Sequence, residues 1–206
     1  MNLIFLPGAS GNTAFWNNVI QRLTLDVTTQ VIAYPSFGGH PDNDHVRSFE
    51  DLQHHVLQQI QQPSVLIAQS MGGIFAVQAA LQKSMQVIAL VLIATSGGID
   101  LSQFEVADWR TDYQLNFAVP DWFVQHHVEL DAELEKIQCP VLLIWGGSDP
   151  ISPVTVGQYL HQKIVQSELH IIENGQHDLA HVHAEQVSTF IEKFLITHKK
   201  CLTEES

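Results

Sequence analysis

Ser70 stands in the stretch "IAQSMGG", residues 67–73, between an apolar run and two glycines. A serine hydroxyl is a weak nucleophile until a neighbouring base takes its proton, and that base in turn needs a carboxylate to fix its tautomer. Residues of both types occur far along the chain: Asp149 in "VLLIWGGSDPISP", 141–153, and His177 in "IIENGQHDLAHVHAEQ", 171–186. A serine held on a tight strand-to-helix turn also needs small neighbours two positions away on each side, and Ala68 and Gly72 meet that need. The chemistry open to such a set is acyl transfer, in which the hydroxyl attacks a carbonyl while the base shuttles the proton.

Plainer readings stand beside these. Gly146, Gly147, Pro150 and Pro153 would make a good turn around Asp149 with no catalytic duty, and Asp100 is a second candidate for the acid. His177, His181 and His183 form HxxxHxH, a spacing zinc can use, but no further carboxylate-histidine set completes a site, so no metal is expected. His54, His55, His126 and His127 read as solvated helix or loop residues. The glycine-bearing stretch "FLPGASGNTAFW", 5–16, lacks the GKS or GKT ending of a phosphate loop and the GxGxxG of a dinucleotide fold. No cofactor is expected.

The elements that would position these residues are read from hydrophobic patterning. Short apolar runs at 3–6, 31–34, 65–68, 87–94, 141–145 and 169–172 are mostly continuous, as in strands buried on both faces. Helix-like segments lie between them at about 13–23, 47–61, 71–83, 153–164 and 184–196. In the last, Val187, Phe190, Ile191 and Phe194 make one apolar face. This alternation predicts a mainly parallel sheet of about six strands between two helical layers. Ser70 then falls just outside the carboxyl end of the third strand, where open α/β sheets carry their chemistry. Two segments break the alternation: a Gly/Pro/Asp-rich loop at 35–46 and an insert at about 97–138. The insert holds Phe104, Trp109, Tyr113, Phe117, Trp122 and Phe123 and is expected to form a small helical cap with an apolar underside. Its aromatics either pack it onto the sheet or face a substrate. The polar tail "HKKCLTEES" is expected to fray.

On these residues the chain resembles the α/β-hydrolase superfamily, whose nucleophile elbow reads GxSxG; Ala68 stands at the first glycine. Ser70, Asp149 and His177 follow in that family's order, nucleophile, acid, base. The resemblance implies that Gly8 marks the oxyanion turn, with Pro7 where the family usually has histidine. The backbone amides of Ala9 and Met71 would then form the oxyanion hole. It also implies a three-layer α/β/α sandwich that lacks the family's first two strands, with strand order 2-1-3-4-5-6. The expected activity is hydrolysis of a small ester or thioester with an apolar acyl part. The family also includes lyases that use the same serine and receptors without turnover, and both stay open. Gln69, Trp109, Tyr113, Phe117 and Trp122 are the candidate substrate contacts.

Composition bounds the rest. With 206 residues, 45% of them hydrophobic, the whole chain 1–206 suits one globular domain. A formal net charge of −13 offers no basic patch to nucleic acid or to an anionic membrane. Two cysteines, Cys139 and Cys201, do not make a disulfide framework, and "MNLIFLPGAS" has neither a basic flank nor a long apolar run. A cytoplasmic protein is expected. Oligomeric state is not legible.

Overall fold

The computed structural model describes residues 1–108, 113, 120, 122–123 and 128–198. Its frame is a six-stranded sheet in the order β2-β1-β3-β4-β5-β6, with every neighbouring pair parallel. The strands are β1 Asn2–Leu6, β2 Thr28–Val31, β3 Ser64–Gln69, β4 Val87–Ile93, β5 Val141–Gly146 and β6 Ser167–Ile172. The helices are α1 Asn17–Ile20, α2 Phe49–Gln58, α3 Met71–Gln82, α4 Val154–Lys163, α5 Leu179–Val182 and α6 Ala184–Thr197. This is the expected strand order.

Successive side chains of a strand point to opposite faces, and here each face has its own core. From β1, Ile4 and Leu6 enter the core beneath α2, α3 and α4, whereas Leu3 and Phe5 enter the one beneath α1, α5 and α6. The central strands β3 and β5 divide in the same way, with Leu66 and Leu143 on the first side and Ile67 and Ile144 on the second. Both faces are therefore apolar, which is why these strands read as unbroken runs. On α6, Val187, Ile191, Phe194 and Leu195 are buried.

The second strand differs from its prediction. The apolar run 31–34 was the expected strand, yet the ladder is formed by Thr28–Val31, whose first three residues are exposed. β2 is an edge strand with little to bury, so hydrophobicity marks the place where the chain leaves the ladder. There Ile32 and Tyr34 plunge into the core, and the Tyr34 hydroxyl donates to the Pro7 carbonyl at 2.9 Å. The expected helix at 13–23 is also divided: a 3-10 turn, Thr13–Trp16, capped by the Asn12 side chain, precedes the single turn of α1.

Of the insert, Ile99, Phe123 and Leu134 are buried against the α2–α3–α4 side, and Tyr113 and Trp122 pack on it. Within it Leu130 N–H donates to the Gly98 carbonyl, and Ala107 N–H ties it to the Pro150 carbonyl in the loop after β5, both 2.8 Å. Trp109, Phe117, His126, His127, Cys201 and most of the polar tail lie outside the described residues.

Candidate active site

Ser70 occupies the single step between the end of β3 and the start of α3, at φ 53° and ψ −121°. That backbone conformation is rare for a residue with a side chain and costs of order 1–3 kcal/mol, which the surrounding packing must sustain. The space for it comes from Gly72: a Cβ there would lie 2.5 Å from the Leu6 carbonyl oxygen at the end of β1. β1 and the start of α3 are thus in backbone contact, and their two loops open into the same space.

The candidate base and acid arrive from the other end of the sheet. His177 sits between β6 and α5, Asp149 after β5, and the two loops are joined by Ser148 N–H to the Gly175 carbonyl at 3.0 Å. The Asp149 side chain is fully buried. Its Oδ1 accepts from the amides of Ile151 and Ser152 at 2.8 and 3.1 Å, and its Oδ2 faces His177 Nδ1 at 2.9 Å. A carboxylate on Nδ1 makes that nitrogen the donor, which leaves Nε2 as the acceptor of the neutral ring. Nε2 lies 3.0 Å from Ser70 Oγ. Asp100, the other candidate acid, instead receives the Ser102 amide and hydroxyl at 2.9 and 2.5 Å.

Above these residues lies a cavity of about 660 Å³. Ser70, His177, Ala9 and Met71 line it at one end, and Ile74, Ile99, Leu101 and Phe104 make apolar wall. No described residue accepts a hydrogen bond from the amide of Ala9 or of Met71. Asp100, Asp108 and Glu129 add carboxylates to the lining. Residues 3–131 match the alpha/beta hydrolase family along well over half of the chain.

The chain belongs to the alpha/beta hydrolase family. Among similar proteins, the pimeloyl-[acyl-carrier protein] methyl ester esterase of Vibrio vulnificus (strain CMCP6) is 30% identical over 95 residues, 46% of this chain and 37% of that protein. The match thus spans little more than a third of that relative. The enzyme of the same name from Vibrio atlanticus (strain LGP32) is 24% identical over 85% of this chain and 87% of its own. In fold, a lipase-esterase related protein from Clostridium acetobutylicum superposes with a TM-score of 0.78 at 20% identity, covering 94% of this chain and 93% of that one.

The candidate residues are not all assembled in this member of the family. Ser70, Asp149 and His177 are brought into one hydrogen-bonded line, and Ala9, Met71 and Tyr113 border the cavity. Burial raises the pKa of the Tyr113 phenol. Gln69 lies beneath the cavity instead, buried, its amide donating to the His177 carbonyl at 3.1 Å. Trp122 sets its ring against Phe37, 5.8 Å between centroids. His181, which shares the HxxxHxH spacing, stacks on Phe15 at 6.0 Å. Among the described residues no group of three His, Cys, Asp or Glu is arranged to hold a metal. Sequence reasoning missed Ile74, on the first turns of α3, and Thr95 and Ser152, small polar residues in the loops that follow β4 and β5. Their nearness to those strand ends was the available signal.

Proposed function

We propose that this chain is a serine hydrolase that cleaves a small ester through an acyl-enzyme on Ser70. The unbroken hydrogen-bonded line from Asp149 through His177 to Ser70 carries this reading. As Ser70 Oγ bonds to the substrate carbonyl carbon, His177 Nε2 takes the hydroxyl proton, and the carbonyl oxygen gains charge between the amides of Ala9 and Met71. Collapse of this intermediate breaks the bond to the leaving group, which departs with the proton from Nε2. Water then gives a proton to Nε2, attacks the acyl carbonyl and returns Ser70 to its starting state. Asp149 orients the ring and stabilises its cation without changing protonation.

The apolar walls suit an apolar acyl part. The relatives' names, which specify a methyl ester on a carrier-bound acyl chain, support a simple alkyl ester of a linear acid as the substrate class. Thioesters of the same acids are the next class to test. No described helix is long and apolar enough to cross a membrane; the use of only two cysteines supports a reducing, cytoplasmic site of action. A fluorophosphonate probe should label the wild type and not Ser70→Ala. Methyl esters, p-nitrophenyl esters and acyl-CoA thioesters of graded chain length would then define the acyl group, with Ser70→Ala as blank. Folded wild type that takes no label would overturn the acyl-enzyme and leave a lyase or a receptor.

A further inference from the structure

Strand β4 ends in a conformation its ladder does not require. Leu90 and Leu92 enter one core and Val91 and Ile93 the other, but Ala94 follows Ile93 into the same core. It does so at φ 46°, a left-handed conformation that costs an alanine roughly 1–2 kcal/mol. The break delivers the next residue, Thr95, to the underside of the nucleophile turn, where it is 1% exposed. Thr95 Oγ1 donates to the Ser70 carbonyl at 2.6 Å and accepts the Gly97 amide at 3.0 Å. Its side chain is seated on Gly73, where an added Cβ would lie 2.3 Å from Oγ1. The Thr95 carbonyl in turn receives the Ser152 hydroxyl at 3.4 Å.

The oxygen that Thr95 holds belongs to the same planar peptide unit as the Met71 N–H. Fixing that oxygen fixes the direction of the N–H, and withdrawing density from the carbonyl makes the N–H a stronger donor. A second donor, the Gly73 amide at 3.0 Å, meets the same oxygen, so the plane is clamped by two bonds. We infer that Thr95 is a positioning residue for the oxyanion hole, aiming and strengthening the Met71 amide through its hydrogen bond to the Ser70 carbonyl. The inference rests on the hydrolase reading of Ser70 and Met71 above. It assigns a purpose to the strained Ala94, which turns the threonine toward α3.

The test compares Thr95→Val, which keeps the shape and loses the donor, with Thr95→Ser, which keeps the hydroxyl, and Thr95→Cys, whose thiol is a weak donor. Each is assayed for kcat and KM on a p-nitrophenyl ester and for affinity toward a trifluoromethyl ketone, whose hemiketal with Ser70 places an oxyanion in the hole. In Thr95→Val, kcat should fall about tenfold or more with KM within about twofold, since loss of a whole oxyanion donor typically costs about 100-fold or more. Ketone affinity should fall by the same factor as kcat/KM, with Thr95→Cys between valine and wild type and Thr95→Ser close to wild type. A purely structural threonine would lower the melting temperature and leave kcat and ketone affinity unchanged in the folded variant; that outcome overturns the inference. If Thr95→Val does not fold, Thr95→Ser decides the matter: a folded serine variant with greatly weakened ketone affinity also overturns it. Wild type that neither labels with fluorophosphonate nor turns over any ester overturns the hydrolase reading and this inference together. Active, labelled wild type with an indifferent Thr95→Val overturns this inference alone.

Discussion

Asp149 spends both carboxylate oxygens as acceptors, one on two backbone amides and one on the imidazole. An asparagine there would turn its NH₂ toward Nδ1 or toward the loop amides, so the ring would lose the tautomer that presents Nε2 to Ser70. Asp149→Asn is therefore expected to lower kcat by about 10³–10⁴-fold with the fold retained, whereas Asp100→Asn should stay within a few-fold of wild type. Steady-state kinetics on one chromogenic ester checks both. Gln69 anchors the carbonyl of His177, and Gln69→Leu would leave that oxygen without its partner. A loss of stability of about 1–3 kcal/mol is expected, read as a drop in the urea midpoint, together with reduced kcat. The sequence placed Gln69 in the pocket wall because the side-chain direction of a residue at the very end of a strand is decided by the loop it meets, not by alternation. Ser70, Asp149 and His177 were legible because each stands where a strand ends, and topology brings such ends together. Thr95 also follows a strand end, but its partner is a backbone oxygen 25 positions away, and a backbone oxygen has no residue type.

Among the elements, the turn between β3 and α3 has little room. A methyl at Gly72 would meet the carbonyl oxygens of Leu6 and Pro7 at 2.5 and 2.7 Å, both backbone and unable to rotate away. Gly72→Ala should destabilise the protein by about 1–3 kcal/mol, by analogy with overpacking elsewhere. It should also slow fluorophosphonate labelling of Ser70, because β1 and α3 can part only by opening the site. Thermal melting alongside labelling rate would detect both effects. The legibility of strands followed the same logic of room. β1, β3, β4 and β5 announce themselves because helices cover both of their faces, while β2, "TTQV", is a strand by hydrogen bonding alone and is exposed over most of its length. Its neighbour Tyr34 drew the eye because it is the plug, not the strand.

For the molecule as a whole, burial raises the pKa of three weak acids: the Tyr34 phenol well above its usual value, the Tyr113 phenol, and the Cys139 thiol, up to about 11 from 9.0. In each case the folded state holds its proton more tightly than the unfolded chain. That contribution to stability is complete below the unfolded pKa values and is lost as pH rises through the folded ones. The melting temperature should thus decline from about pH 9 upward, and Tyr34→Phe should flatten part of that decline while forfeiting the bond to Pro7; a series of melts across pH 7–11 tests the sign. Another molecular consequence follows from where His177 is mounted. β6 is an outer edge of the sheet, paired to β5 alone and for the most part only partly buried, and edges of this kind loosen before cores do. Catalysis should then fail on warming at temperatures where the circular dichroism is still native. During synthesis Ser70 and the amides of Ala9 and Met71 emerge before His177, so under the proposed mechanism the serine has no proton acceptor until the last strand joins the sheet. Turnover is in this sense a certificate that the chain has been completed through its sixth strand and docked.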